Sequence, residues 1–256
     1  MIRIEGVCKS YGTVEALKDV HLEVSPGEVY GLLGANGSGK TTLNRCIATL
    51  IQPDAGCIEV AGHSVTESPE DVRRSLGYLS EFPVLYPGLS ADEFLAFVGG
   101  IRALSDEAIK TQRDRWIALF ELEEFRRAPL RSFSQGMARK VALAASLLGD
   151  PQVVLLDEPT NGLDPPSVYL FRQVIAQLKA EGKAVLLSSH VLPLVEQSCD
   201  RIGILADGKV AVTGDLRHLQ TTAGKPQADL EELFLHFSGL DRVMLERLAV
   251  AGLPGQ

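Results

Sequence analysis

The stretch Gly34-Ala35-Asn36-Gly37-Ser38-Gly39-Lys40-Thr41, directly behind the apolar run Val29 to Leu33, constrains this chain more than any other feature. It fits the pattern G-x-x-x-x-G-K-[ST], and the residues behind it, Leu43, Ile47, Leu50 and Ile51, recur at helical spacing. A buried strand, a glycine-rich turn and a helix, in that order, make a cradle for phosphate. Glycines let backbone N–H groups turn inward with no Cβ in the way, and the helix start adds a favourable dipole. Lys40 is placed to set its ammonium on the β- and γ-phosphates, and the Thr41 hydroxyl to ligate Mg²⁺. Residues Gly34 to Thr42 are therefore the candidate phosphate contacts. At average residue frequencies the bare pattern arises in roughly one chain of this length in a hundred, and the strand and helix around it lower that further. By itself it names only a superfamily that includes kinases, GTPases and motors.

The rest of the chain suits an α/β body. Ile2, Ile4 and Val7, then Leu17, Val20, Leu22 and Val24, read as short strands leading into the turn Ser25-Pro26-Gly27. The helix behind the glycine-rich turn is predicted to run through Ile51 and stop at Gln52-Pro53-Asp54-Ala55-Gly56. From Ser90 to about Ala128 strand patterns give way to helical stripes, Phe94, Phe97, Val98, Ile101 and then Trp116, Leu119, Phe120, read as the core of an inserted helical segment. A helix bearing Met137, Val141, Ala144, Ala145 and Leu148 follows Ser134 and ends at Gly149. Next come a strand at Val153 to Leu156, a helix through Leu170, Val174 and Leu178 closed by Gly182, and a strand at Ala184 to Ser188. Short strands apolar on both faces, alternating with helices, indicate a mainly parallel sheet flanked by helices. Ile202 to Leu205 and Lys209 to Val212, joined by Asp207-Gly208, read as a closing hairpin. The tail from Thr221 is polar and then carries one amphipathic helix with Leu230, Leu233, Phe234 and Phe237.

Composition excludes some classes. The net charge of −8 argues against a general nucleic-acid binder, and no nucleic-acid partner is expected. Cys8, Cys46, Cys57 and Cys199 are scattered without metal spacing and read as reduced residues of a cytosolic protein. The N-terminus lacks a signal-peptide pattern, and no window approaches the ~18 apolar residues needed to span a bilayer. A role at a membrane would have to be carried out through a partner.

Val153-Val154-Leu155-Leu156-Asp157-Glu158 is a buried strand ending in two carboxylates. Ligands of open α/β sheets sit at the carboxyl ends of strands, so these acids should face the nucleotide. Asp157 is suited to hold Mg²⁺, and Glu158 to act as general base on the water that attacks the γ-phosphate. A solvated strand end would look the same in isolation; the phosphate loop upstream favours the chemical reading.

Between the two motifs lies Ser132-Phe133-Ser134-Gln135-Gly136-Met137, which resembles the Leu-Ser-Gly-Gly-Gln signature of ATP-binding cassette (ABC) proteins at its usual place before a helix. Phe133, Gln135 and Met137 depart from it, whereas Ser134 and Gly136, the positions that contact a γ-phosphate in that family, are kept. Tyr11 resembles the aromatic residue that stacks on adenine, Asp164 in Asn161-Gly162-Leu163-Asp164-Pro165 the aspartate that communicates across paired subunits, and His190 the γ-phosphate-sensing histidine. Glu81, in Gly77-Tyr78-Leu79-Ser80-Glu81, stands where glutamine is usual; it still offers an oxygen to Mg²⁺ or water but adds a charge. Six motifs in one order carry the resemblance over residues 1–220.

The resemblance implies a P-loop NTPase cassette over 1–220, with an N-terminal antiparallel β-subdomain and an inserted helical signature subdomain at 82–150, followed by a tail at 221–256. It implies ATP and Mg²⁺ as cofactors, ATP hydrolysis, and pairing with a second cassette, as homo- or heterodimer, so that Ser134 and Gly136 act in trans. It also implies a transmembrane permease partner that would hold the chain at the cytoplasmic face of the cell membrane. The segments Leu85-Tyr86-Pro87-Gly88-Leu89-Ser90 and Asp229-Leu230-Glu231-Glu232-Leu233-Phe234 resemble cassettes of the ABC-2 exporter type. The alternatives are a non-transport ABC ATPase acting on ribosomes or DNA, which usually has two cassettes or a coiled-coil insertion, and a phosphotransferase, which would leave Ser134, Gly136 and His190 unexplained.

Overall fold

The structure is a computed structural model that describes residues 1–241. In chain order, β1 (Ile2–Tyr11), β2 (Val14–Val24) and β3 (Val29–Gly34) lead to α1 (Lys40–Ile47), then β4 (Ala55–Val60), β5 (His63–Ser64), α2 (Pro69–Ser75) and β6 (Leu76–Leu79). Three helices follow, α3 (Ala91–Ile101), α4 (Asp106–Leu119) and α5 (Gln135–Leu147). The chain then alternates through β7 (Val153–Asp157), α6 (Pro165–Ala180), β8 (Ala184–Ser188) and α7 (Leu192–Ser198). It closes with β9 (Arg201–Ala206), β10 (Lys209–Gly214), α8 (Leu216–Ala223) and α9 (Leu230–Ser238).

The strands form two sheets. The six-stranded one has the order β10-β9-β3-β8-β7-β6, with every pair parallel except the β9–β10 hairpin. β3, β7 and β8 are buried along their whole length, as strands covered on both faces must be. The four-stranded sheet, β2-β1-β4-β5, is antiparallel. The mainly parallel sheet and the antiparallel N-terminal sheet are thus both present, although half of the latter comes from residues after α1. β4 buries only Ile58 and Val60, and β5 is two residues, His63-Ser64, which is why their pattern is weak in the sequence.

β6 and β7 pair directly, Leu76 opposite Val153, yet α3, α4 and α5 lie between them in the chain. Each of these helices starts at a serine whose hydroxyl accepts a backbone N–H: Ser90 from Glu93, Ser105 from Ala108 and Ser134 from Met137. Their apolar faces join one face of the large sheet in a core that includes Phe94, Trp116, Val141 and Phe171. A second core fills the space between the two sheets, and a third lies where α7, α8 and α9 cover β9 and β10. α8 runs across residue 220, and Leu219, Leu230 and Leu233 are buried in the third core.

Two expectations fail in detail. α1 ends at Ile47, not Ile51: Thr49 takes a left-handed backbone (φ 60°), and the N–H of Leu50 turns back to the carbonyl of Arg45. Leu50 is consequently exposed. The α3 stripe is also not wholly core. Phe94 is buried, but Phe97 and Ile101, one turn apart on another face, are 44% and 69% exposed. Phe97 meets Tyr86 edge-on, with ring centroids 5.4 Å apart.

Gly77 shows how closely α5 seats on the sheet, since a Cβ there would lie 2.2 Å from the Ser146 carbonyl oxygen. Backbone cannot yield as a side-chain tip can. Gly77→Ala should therefore lower the unfolding free energy by about 1–3 kcal/mol in urea titrations; an unchanged midpoint would mean that α5 and β6 separate without penalty.

Candidate nucleotide site

The parallel strands β3, β6, β7 and β8 all deliver their carboxyl ends to one edge of the sheet, around a cavity of about 740 Å³. β3 leads into the glycine-rich turn. Gly39 closes the turn at φ 112°, where a Cβ would sit 2.5 Å from the Ala16 carbonyl oxygen, so only glycine fits. Lys40 is buried, and its ammonium donates to the carbonyls of Gly34 and Ala35. Burial lowers its pKa, against the pull of Glu158, Asp157 and Glu81. Ser38 alone of residues 34–42 turns its side chain away from the cavity and packs under Gly34, while its backbone N–H donates to Ala35.

β7 supplies the acids. Asp157 is buried, and burial pushes its carboxyl up to about 6, with the Asn44 side chain holding it back and Glu158 and Glu81 pushing further. Its Oδ2 is buried without a hydrogen-bond partner. Glu158 leaves the strand at φ 47°, and its N–H bonds the Ser188 carbonyl of β8 at 2.8 Å. Its Oε2 accepts from the Ser189 hydroxyl (3.2 Å) and the His190 backbone N–H (3.3 Å), and the His190 Nδ1 stands 2.8 Å from the same oxygen. Glu81, just beyond β6, lines the same cavity.

The structure thus gathers the phosphate loop, Glu81, Asp157, Glu158 and His190 around one space. It leaves Tyr11, Ser134, Gly136 and Asp164 outside that space. Tyr11 is 48% exposed at the end of β1. Ser134 caps α5 and is exposed, and Gly136 sits against the Gly162 carbonyl, where a Cβ would approach to 2.8 Å. Asp164 caps α6 by accepting the Ser167 N–H at 3.0 Å, and its bonds to Ser167 lower its pKa. Ala16, Ser189, Leu192 and Phe234 also line the cavity, none of them assigned to the nucleotide site from the sequence. Ser189 had a signal, its place between the β8 strand and His190; the others are ordinary apolar residues brought there by packing. No group of three or more His, Cys, Asp or Glu with metal-site geometry occurs among the described residues. The four cysteines are free.

Comparison with known proteins shows the family and the fold. The family model described as ABC transporter matches residues 17–161. The chain belongs to the ABC transporter family. Among curated relatives it is 37% identical over 223 residues to the ABC transporter ATP-binding protein NatA of Bacillus subtilis, covering 87% of this chain and 90% of that one. It is 34% identical over 252 residues to the daunorubicin/doxorubicin resistance ATP-binding protein DrrA of Streptomyces peucetius, covering 98% and 75%. A solved ATP-binding subunit of an ABC transporter superposes with a TM-score of 0.89 at 32% identity, over 93% of this chain and 99% of that one. A dimeric ATP-binding cassette in a post-hydrolysis state with ADP and Pi superposes at 0.78 and 27% identity, over 85% and 99%. This ABC cassette is a nucleotide-binding ATPase.

The raised Asp157 carboxyl has a measurable consequence for the nucleotide-free cassette. The folded state keeps this proton up to about pH 6, while the unfolded chain releases it near 3.8, so the residue's contribution to stability is present below the lower value and lost as pH rises through the upper one. Asp157→Asn removes the ionisation. In EDTA, the unfolding free energy of the variant should gain on that of the wild type by roughly 2 kcal/mol between about pH 4 and about pH 8. Parallel pH profiles for the two proteins would show that Asp157 is not desolvated in solution.

Proposed function

We propose that this chain hydrolyses Mg-ATP as one half of a head-to-tail cassette pair and drives a separate membrane-spanning permease in the direction of export. The observation that carries the reading is the division of the motif residues. Glu158, His190 and the phosphate loop share one cavity, while Ser134, Gly136 and Asp164 lie elsewhere on the surface. A second cassette, identical or different, would place its own Ser134 and Gly136 counterparts over the nucleotide held here. Contacts to the γ-phosphate would be charge-assisted and would vanish with its release, which opens the pair.

Within the cavity the residues take separate roles. The backbone N–H groups of residues 34–42 and the Lys40 ammonium hold the phosphates, which requires Lys40 to exchange the Gly34 and Ala35 carbonyls for phosphate oxygens. From outside the cavity, at the end of β1, Tyr11 would offer its exposed ring to adenine. The donor set fits Mg²⁺: the unpartnered Asp157 Oδ2, the Thr41 hydroxyl and the Glu81 carboxylate are hard oxygens at the same cavity. Bound there, the ion supplies charge neutralisation at the transferred phosphoryl group. Glu158, its Oε2 fixed by Ser189 and His190, takes the proton of the attacking water. His190 orients that carboxylate and meets the γ-phosphate.

The permease reading rests on the surface of the helical segment. Phe82, Val84, Tyr86, Phe97 and Ile101 are all exposed large apolar residues, contributed by α3 and the loop before it. Tyr86 and Phe97 meet edge-on within this exposed set, and apolar surface left open to solvent suits an interaction site for the end of a helix projecting from a membrane subunit. No helix among the described residues is long and apolar enough to cross a membrane. The resistance function in the name of the Streptomyces relative supports export. We place the cassette over residues 1–220, with 82–150 as its helical signature segment, at the cytoplasmic face of the membrane through the permease.

Glu158→Gln should bind ATP with near-normal affinity, lose hydrolysis by about 10²-fold or more, and accumulate as an ATP-bound dimer on size-exclusion chromatography. Normal steady-state turnover would sink the assignment of the base. Phe97→Asp should leave the ATPase rate of the isolated cassette within about twofold but abolish co-purification with a multi-spanning membrane protein. Retention of that partner would move the docking surface elsewhere.

A further inference from the structure

Arg139 lies in the middle of α5 and is only 4% exposed, yet no carboxylate among the described residues forms an ion pair with it. Its guanidinium donates to five main-chain carbonyls instead. Nη1 reaches Ser80 (3.0 Å) and Glu81 (2.6 Å), Nε reaches Pro159 (3.1 Å), and Nη2 reaches Asp157 (2.9 Å) and Glu158. An arginine has five N–H donors, and each is matched here by an acceptor. The acceptors belong to two loops, one leaving β6 and one leaving β7, which are neighbours in the sheet. Those loops present Glu81, Asp157 and Glu158 to the cavity.

Burying a guanidinium is expensive, and an apolar side chain of similar volume would satisfy packing alone at less cost. Burial lowers its pKa, opposed by the nearby charges of Asp157, Glu158 and Glu81. The carboxylates that crowd the cavity therefore stabilise the cation that holds their backbone. The main chain they hang from also needs holding, since Glu158 sits in a left-handed backbone that a non-glycine residue adopts only under restraint. Five residues before Arg139, on the same helix, Ser134 begins the segment offered to the partner cassette.

We propose that Arg139 is a positioning residue for ATP hydrolysis, locking the Glu81 and Asp157–Glu158 loops together and tying them to the helix that starts at Ser134. The proposal rests on the reading of those carboxylates as the hydrolytic set. It makes the movement of α5, on which a partner's nucleotide would act through Ser134 and Gly136, felt at the chain's own carboxylates. A planar fork is required: a lysine carries the charge but has three donors on one nitrogen and cannot span both loops.

The test uses the full chain with Arg139→Lys and the volume-matched Arg139→Met, each rate normalised to sites that bind a fluorescent nucleotide. Both should lose about 10- to 100-fold in kcat, the scale of a small misplacement of catalytic groups. ATP KM, and nucleotide affinity in EDTA, should stay within about threefold, because the phosphate loop keeps its own donors. Amide exchange should quicken in peptides covering 79–82 and 156–161 and stay unchanged over 34–43. Wild-type kcat per binding site in Arg139→Lys overturns the proposal, even if stability falls. So does a parallel loss of kcat and EDTA affinity, which would mark a general packing role. Glu158→Gln, assayed alongside, separates the two readings: normal turnover there removes the base, whereas normal turnover in Arg139→Lys removes only the positioning residue.

Discussion

The registers Leu79 to Leu156, Asp157 to Ser188 and Leu32 to Ser188 bring the ends of β6, β7, β8 and β3 to one edge of the sheet. Parallel pairing does this because neighbouring strands run the same way and stop together. Four loops then leave from one line, carrying Glu81, Asp157 with Glu158, Ser189 with His190, and the phosphate loop. The apolar cores on either side of the sheet hold that line fixed. Shift any one pairing by a residue and its functional side chain points into a core.

That alignment concentrates charge. Three carboxylates and one buried ammonium share a partly desolvated space, so their interactions are stronger than in water, and burial raises the pKa of Asp157 and lowers that of Lys40. Asp157 holds its proton to about 6, and the Lys40 ammonium leans on two backbone carbonyls. In the proposed reading a nucleotide with its cation would relieve both conditions, the phosphates engaging Lys40 and the cation the acids. The nucleotide-free cassette is in this sense built around charges that its substrate completes, which is the electrostatic preorganisation expected of a phosphoryl-transfer site.

α5 links this site to the outside. Its first turn exposes Ser134, its middle puts Arg139 against the carbonyls beneath Glu81 and Glu158, and its last turns are buried against β6. The neighbouring α3 faces outward with Phe97 and Ile101. The surfaces proposed for a second cassette and for a membrane partner are therefore carried on helices that share one core against the large sheet.

Much of this was legible in the residues themselves. The phosphate loop declares itself because Gly37 and Gly39 take backbone conformations that favour glycine, and Asp157 with Glu158 stands out because that loop lies upstream of an apolar strand ending in two acids. Alternation of apolar strands with helices was enough for a mainly parallel sheet. Other features needed the folded chain. Leu50 reads as core until Thr49 turns the backbone, and Phe97 reads as core although α3 presents it to solvent, because periodicity reports a face and not what covers it. Phe234 reaches the nucleotide cavity only because α9 packs on β9. Arg139 is one arginine on a helix until β6 and β7 bring five carbonyls to it from residues 80–81 and 157–159. Local sequence determined the chemistry of each loop, since backbone conformation and side-chain type are set residue by residue. Which loops share one cavity, and which motif residues lie on the surface away from it, was decided by strand order and helix packing, which depend on contacts between residues far apart in the chain.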